Sequence, residues 1–233
     1  MTQPSAIEKS TAPVPENPQQ LRLIHKAHTG AQADIWLVKT NGVDRVLRDY
    51  SSPRSPQWRA LSRWAVRREI CAHRLLESTA GIPKLIEVLD KDRYLIEYIE
   101  GFPLSEKREF PYPDFFERLT QVIASMHACG VAHGDLRNKN IMVGPNIQPY
   151  VIDLTTAWWD SWWRRPLFLF YKRLDLRRLA RTKEKYTPEN LTDAEKKMLN
   201  GLPWYLWIGR FYRCQVYRRI WGRGDKIEAR RNR

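Results

Sequence analysis

Hydrophobic and polar positions divide the chain into two halves with different periods. Up to Ile99, apolar residues recur in short runs of strand character at 21–27, 33–40, 43–50, 84–89 and 94–99. Asn41-Gly42, between the second and third runs, is the strongest short-range hairpin signal in the sequence, because these residue types accept the positive φ of a tight turn. One helical stretch, 57–77, interrupts the strands. Its Leu61, Ala65, Ile70, Leu75 and Leu76 predict a packed face and its arginines a wet one. Past Gly101 the period becomes helical. Pro113 opens a helix lined by Phe116, Leu119, Val122, Ile123 and Met126, and Gly130 ends it. The short apolar runs 141–143 and 150–152 then read as a hairpin.

The candidate chemistry flanks that hairpin. His133-Gly134-Asp135-Leu136-Arg137-Asn138-Lys139-Asn140-Ile141 leads into it, and Val151-Ile152-Asp153-Leu154 ends it. Phosphoryl transfer from a metal-bound nucleotide needs one carboxylate to meet the proton of the acceptor hydroxyl. It also needs an amide oxygen and a second carboxylate to hold Mg²⁺ against the phosphates. Asp135, Asn140 and Asp153 are those residue types, and the hairpin would bring Asn140 and Asp153 together. A surface turn rich in Asp and Asn is the plain alternative.

At these residues the chain resembles the protein-kinase-like superfamily, whose catalytic loop reads H-x-D-x-x-x-x-N and whose metal-binding Asp ends the next strand. The resemblance implies an α+β, two-lobed protein-kinase-like fold, with a five-stranded antiparallel N-lobe at 21–100 and a truncated helical C-lobe at 101–200. It implies ATP and Mg²⁺ as cofactors, with Asp135 as catalytic residue and Asn140 and Asp153 on the metal. Arg137 would stabilise the transferred phosphoryl group, with Lys139 a weaker candidate. Upstream, Gly30 keeps only the middle glycine of a phosphate-covering loop, and Ile35 would cover adenine. Arg48 stands where the family has a phosphate-binding Lys; its helix partner would be Glu69, with Glu77 second. Glu97 and Ile99 would present backbone groups to adenine from a hinge that turns at Gly101. An ordinary turn, a surface carboxylate and a plain strand exit are the respective alternatives. His133 fits the loop-orienting position, and His127 reads as a packed side chain.

The departures narrow the resemblance. Asp153 is followed by Leu-Thr-Thr, and no A-P-E triplet is present, so the usual surface for docking protein substrates is missing. The form H-G-D-L-R-x-K-N-I with a short C-lobe looks most like the lipopolysaccharide kinases that act on Kdo or heptose, and their RIO relatives. That likeness implies phosphorylation of a sugar hydroxyl on a membrane-held glycolipid or lipopolysaccharide core. Two other readings stand beside it: an RNA-associated, RIO-like serine/threonine kinase or ATPase, and a nucleotide-binding pseudokinase module suggested by the missing glycines and by Arg48.

Composition adds location and partners. Residues 1–20 hold four prolines and no apolar run, which predicts a disordered tail without a signal peptide and a cytoplasmic chain. Cys71, Cys129 and Cys214 form no metal or disulfide pattern. The net charge is +14, and nine Lys or Arg against two acids fall in a basic aromatic extension at 201–233. A second aromatic and basic patch covers 158–173. Three surroundings suit such patches: an anionic membrane, which would place the protein peripherally on the inner face of the cytoplasmic membrane; the C-lobe core; or nucleic acid.

Overall fold

The computed structural model describes residues 21–27, 32–52 and 56–200. The tail at 1–20, Gly30 and the extension at 201–233 lie outside the described residues. Among the described residues, those up to Asn190 belong to one compact unit and those from Leu191 to a second.

The first part of the larger unit holds strands β1 Leu21–His25, β2 Asp34–Thr40 and β3 Val43–Asp49, helix α1 Pro56–Leu75, and strands β4 Leu85–Val88 and β5 Arg93–Glu97. All five strands join one antiparallel sheet in the order β1-β2-β3-β5-β4. The β2–β3 turn closes Thr40 onto Val43 through Asn41 and Gly42, with φ of 52° and 79°, the twist that matches the flanking strands. Strand alternation puts Val46, Tyr50, Tyr94 and Ile96 with Val66 and Ile70 of α1, while Val38, Leu47 and Leu95 form a separate cluster.

The packed face of α1 differs from the expected one. Leu61 and Leu75 are exposed, and the buried stripe instead runs Ser62, Val66, Glu69, Ile70, His73 and Leu76. Apolar spacing misplaces this face because its centre carries a carboxylate and an imidazole, which count as polar in any pattern.

The remainder of this unit contains β6 Phe102–Pro103, α2 Tyr112–Ala128, β7 Val131–Ala132, β8 Ile141–Val143, β9 Pro149–Val151, β10 Trp158–Trp159 and α3 Arg165–Tyr186. Its core sets Phe115, Phe116, Leu119, Ile123 and Met126 of α2 against Ile141, Val143, Val151 and Leu179. β6, β8 and β9 form a small sheet, and β7 pairs with β10. Gly101, at φ +155°, enters β6 so close to β8 that a Cβ would stand 2.2 Å from the Val143 carbonyl oxygen, so no larger residue fits. In the second unit, α4 Asp193–Asn200 starts with a capping box: the Thr192 hydroxyl accepts from the Glu195 N–H, and the Glu195 carboxylate accepts from the Thr192 N–H. Among the described residues no helix is long and apolar enough to cross a membrane.

His73 ties α1 to the approach to β4, its Nδ1–H donating to the Pro83 carbonyl at 3.0 Å. Burial, reinforced by the nearby Arg48 charge, pushes its pKa from 6.5 down to about 4. Between those two values the unfolded chain binds a proton that the folded chain refuses. Stability is therefore complete above about pH 6.5 and falls as pH drops toward about 4, by up to ~3 kcal/mol. Thermal unfolding of His73→Gln should show a flatter dependence on pH across this window than the parent chain. Equal slopes would mean that His73 is not the proton-linked group.

Candidate functional site

β3 and α1 together place a cation between two carboxylates. Arg48 lies on the central strand β3 and is 8% exposed; Glu69 lies on the inner face of α1 and is fully buried. Arg48 Nη1 is 3.1 Å from Glu69 Oε1, and its Nη2 is 3.6 Å from Asp153 Oδ1. The Tyr50 hydroxyl donates to Glu69 Oε2 at 3.0 Å and accepts from Arg48 Nη2 at 3.4 Å. Burial lowers the pKa of Arg48, but its neighbours, Glu69 first and then Tyr94, Tyr50 and Asp153, outweigh it and hold that pKa well above its ordinary value. Burial is also the largest influence on Glu69, raising its pKa against the pull of Arg48. Asp153 goes the other way: burial raises its pKa, yet Arg48 and the Thr155 hydroxyl at 2.8 Å bring it below the usual carboxylate value. A residue longer than Lys makes this bridge possible, since one planar guanidinium offers separate nitrogens to the two acids.

Asp153 has φ 67° and ψ 70°, a left-handed conformation that Asp tolerates better than most residues. One residue separates it from β9, and the N–H of that residue, Ile152, donates to the Asn140 carbonyl at 2.9 Å, so the β8–β9 hairpin sets Asn140 and Asp153 side by side. Asn140 is buried. Its Nδ2 donates to the Asp135 carbonyl at 2.9 Å, which orients the amide and leaves Oδ1 as its acceptor atom.

The loop carrying Asp135 is held from α3. The fully buried Asp175 accepts the backbone N–H groups of His133 at 2.7 Å and Gly134 at 2.9 Å, and lies 3.2 Å from His127 Nε2. His133 Nδ1 accepts the Asp135 N–H at 3.2 Å, and its Nε2 therefore donates to the Ile152 carbonyl at 3.0 Å, an assignment fixed by these partners. One imidazole thus ties the Asp135 loop to Ile152, between β9 and Asp153. Asp135 itself is bound on both oxygens: Arg178 Nη1 sits 2.6 Å from Oδ1, and Arg137 pairs with Oδ2. Thr182 and Tyr186 continue the same α3 stripe onto the Asn138 side chain.

Of the residues expected from sequence, Arg48, Glu69, Asn140 and Asp153 converge, and Asp135 joins them through Asn140. Arg137, expected to meet the transferred phosphoryl group, pairs with Asp135 in this structure. Ile35 stands directly across from Arg48 in the β2–β3 register and so shares its face. Ile99 is buried at the sheet exit. The Glu97 N–H already donates to the Lys84 carbonyl at 2.9 Å, and its Oε2 accepts the Lys84 N–H. Asp175, Arg178 and Tyr50 escaped the sequence reading. A lone acid within the strongly basic run 172–181 was the available signal for Asp175.

The family model described as the RIO domain matches residues 37–161, more than half of the chain. Among curated proteins, a putative cyclin-dependent kinase F-2 from Oryza sativa subsp. japonica is 32% identical over 94 residues, covering 31% of this chain and 29% of that protein. A probable bifunctional tRNA threonylcarbamoyladenosine biosynthesis protein from Methanosarcina barkeri is 24% identical over 146 residues, covering 60% of this chain and 26% of that protein. The chain thus spans less than a third of the length of these relatives. The Rio2 kinase from Chaetomium thermophilum, solved as an ADP/Mg²⁺-phosphoaspartate complex, matches the fold with a TM-score of 0.58 at 19% identity, over 76% of this chain and 60% of that one. The protein-kinase-like fold expected from the sequence is therefore present. The RIO-domain match over 37–161 points to the RIO branch of the superfamily, and none of the three proteins is described as a lipopolysaccharide kinase.

Removing one member of the buried pair should cost more than removing both. Glu69→Leu leaves the Arg48 charge facing a carboxylate 3.6 Å away, and should destabilise the protein by ~3–5 kcal/mol. The double replacement Arg48→Met with Glu69→Leu should cost clearly less than the sum of the single changes. Urea unfolding of all four proteins measures this, and simple additivity would show that the two side chains are not coupled.

Proposed function

This chain belongs to the RIO domain family, and on that premise we propose that it is a RIO-type, ATP- and Mg²⁺-dependent phosphotransferase acting on an acceptor hydroxyl. The observation that carries the reading is the convergence of Arg48, Glu69, Asn140 and Asp153, with Asp135 anchored beside them.

The donor set suits a hard cation. Asp153 offers a carboxylate of lowered pKa, and Asn140 an amide oxygen whose direction the Asp135 carbonyl fixes. With only these two protein ligands, phosphate oxygens and water would complete the coordination of the ion. Bound there, Mg²⁺ would neutralise charge on the transferred phosphoryl group. Arg48, held by Glu69, supplies a fixed positive charge beside the same carboxylate, in place of the Lys of most protein kinases.

Asp135 receives the proton of the acceptor hydroxyl. Both of its oxygens already face guanidinium groups, so an acceptor must compete for them. The Arg178 side chain is 22% exposed and the Arg137 side chain 52%. Arg178 is thus the fixed partner, and Arg137 the one that yields to the acceptor and then meets the phosphoryl oxygens. As for the acceptor, a sugar hydroxyl of a glycolipid rests on motif resemblance alone. The RIO-domain match supports the RIO-like reading better, with a serine or threonine hydroxyl as acceptor, or water if the enzyme acts as an ATPase.

Transfer of labelled γ-phosphate, to the protein itself or to water, tests the assignment. Asp153→Asn should abolish the Mg²⁺-dependent part of nucleotide binding. Asp135→Asn should bind ATP like the parent chain but turn it over at least about a hundredfold more slowly. A folded Asp153→Asn protein with full ATP turnover would overturn this mechanism.

A further inference from the structure

Away from the phosphotransfer residues, tryptophan and arginine side chains form a continuous ladder on the surface. Arg68 of α1 lies over the Trp64 ring at 4.4 Å and over Trp158 and Trp159 at 4.9 and 5.9 Å. Arg164 then lies over Trp159 at 5.0 Å and Trp163 at 4.2 Å. The ladder is anchored inward: Trp158 stacks on Tyr171 at 5.1 Å, Phe168 is buried, and Arg68 donates to the Ala157 carbonyl. Its outer members have no such cover. Trp162 is 90% exposed, Trp163 59%, Trp64 54%, and Leu167 and Leu169 45% each.

We infer that this ladder, with the first turn of α3, docks on the headgroup layer of an anionic lipid bilayer. Exposed apolar side chains in a contiguous group mark an interaction surface. Trp162, Trp163, Leu167 and Leu169 cluster at the start of α3 and Trp64 lies on α1, and exposed side chains spread over two helices in this way suit a deformable, planar partner better than a protein knob. Indole rings favour the boundary between headgroups and acyl chains, and Leu167 and Leu169, on the two flanks of buried Phe168, add apolar area at the edges of the patch. Nucleobases would use stacked rings and cations but gain little from Leu167 and Leu169. The charge is complementary: residues 158–173 carry four Lys or Arg and one acid, and that acid, Asp160, is matched by Arg165 at 3.5 Å. The guanidinium groups already stacked on the rings would meet lipid phosphates without losing their aromatic contacts.

Co-flotation of the full chain with vesicles tests the inference, using phosphatidylcholine alone, phosphatidylcholine with phosphatidylglycerol, and a structured RNA as competitor. The parent chain should float with the anionic vesicles only. The double variant Trp162→Ser with Trp163→Ser should lose about tenfold or more of its partitioning, with melting temperature and ATP turnover unchanged. Leu167→Ser with Leu169→Ser provides the same test without touching the stacked rings. Unchanged flotation of both double variants would overturn the assignment, as would a parent chain that binds RNA but not anionic vesicles.

Discussion

A buried positive charge organises the nucleotide side of this molecule. Arg48 is surrounded by strand β3, Tyr50 and Tyr94, and it could not remain there without acids to offset the cost of leaving water. Glu69 supplies one, which obliges α1 to turn a carboxylate toward the sheet where an apolar residue would otherwise go. Asp153 supplies the second, which links the sheet to the end of β9. The requirement to pair a single guanidinium thus fixes the register of α1 on the sheet and the position of the residue suited to a metal.

On the acceptor side the equivalent constraint is the carboxylate of Asp175. A loop that turns through Gly134 exposes backbone N–H groups that no helix or strand can satisfy. Asp175 accepts two of them from inside the core. Gly134 itself has φ +77°, and a Cβ there would come within 2.7 Å of the Thr156 carbonyl oxygen, so the loop and the turn after Asp153 can pack only at a glycine. The Thr156 hydroxyl donates back to the His133 carbonyl at 2.9 Å. Asp135 and Asp153 are therefore held by one hydrogen-bonded unit, and they should respond together when any part of it is altered.

How much of this the sequence disclosed follows from range. Local signals were dependable: Asn41-Gly42 gave the hairpin, alternation gave the strands to within a few residues, and the Asp135, Asn140 and Asp153 spacing gave the centre of the site. The contact between Arg48 and Glu69 could be anticipated from the family resemblance, which pairs the strand cation with a carboxylate on the following helix. The inward face of α1 could not, since its polar Glu69 and His73 break the apolar pattern that marks a buried stripe. Asp175 and Arg178 lie some forty residues beyond the loop they hold. Their helix is so rich in arginine that periodicity does not reveal which side faces the core. The acceptor class was overdrawn toward glycolipids because a short motif is shared by several branches of one superfamily, while the RIO match extends across 37–161.

The central claim is that the guanidinium of Arg48, aligned by Glu69, takes part in holding nucleotide phosphates beside Asp153. Calorimetric titration of Arg48→Lys with ATP in Mg²⁺ is the most direct measurement of it. The shorter ammonium cannot span Glu69 and Asp153 as the planar group does, so affinity should fall by about tenfold or more while adenosine, which carries no phosphates, binds as it does to the parent chain. If Arg48→Lys binds ATP as tightly as the parent chain, or loses ATP and adenosine equally, the account of this site is wrong.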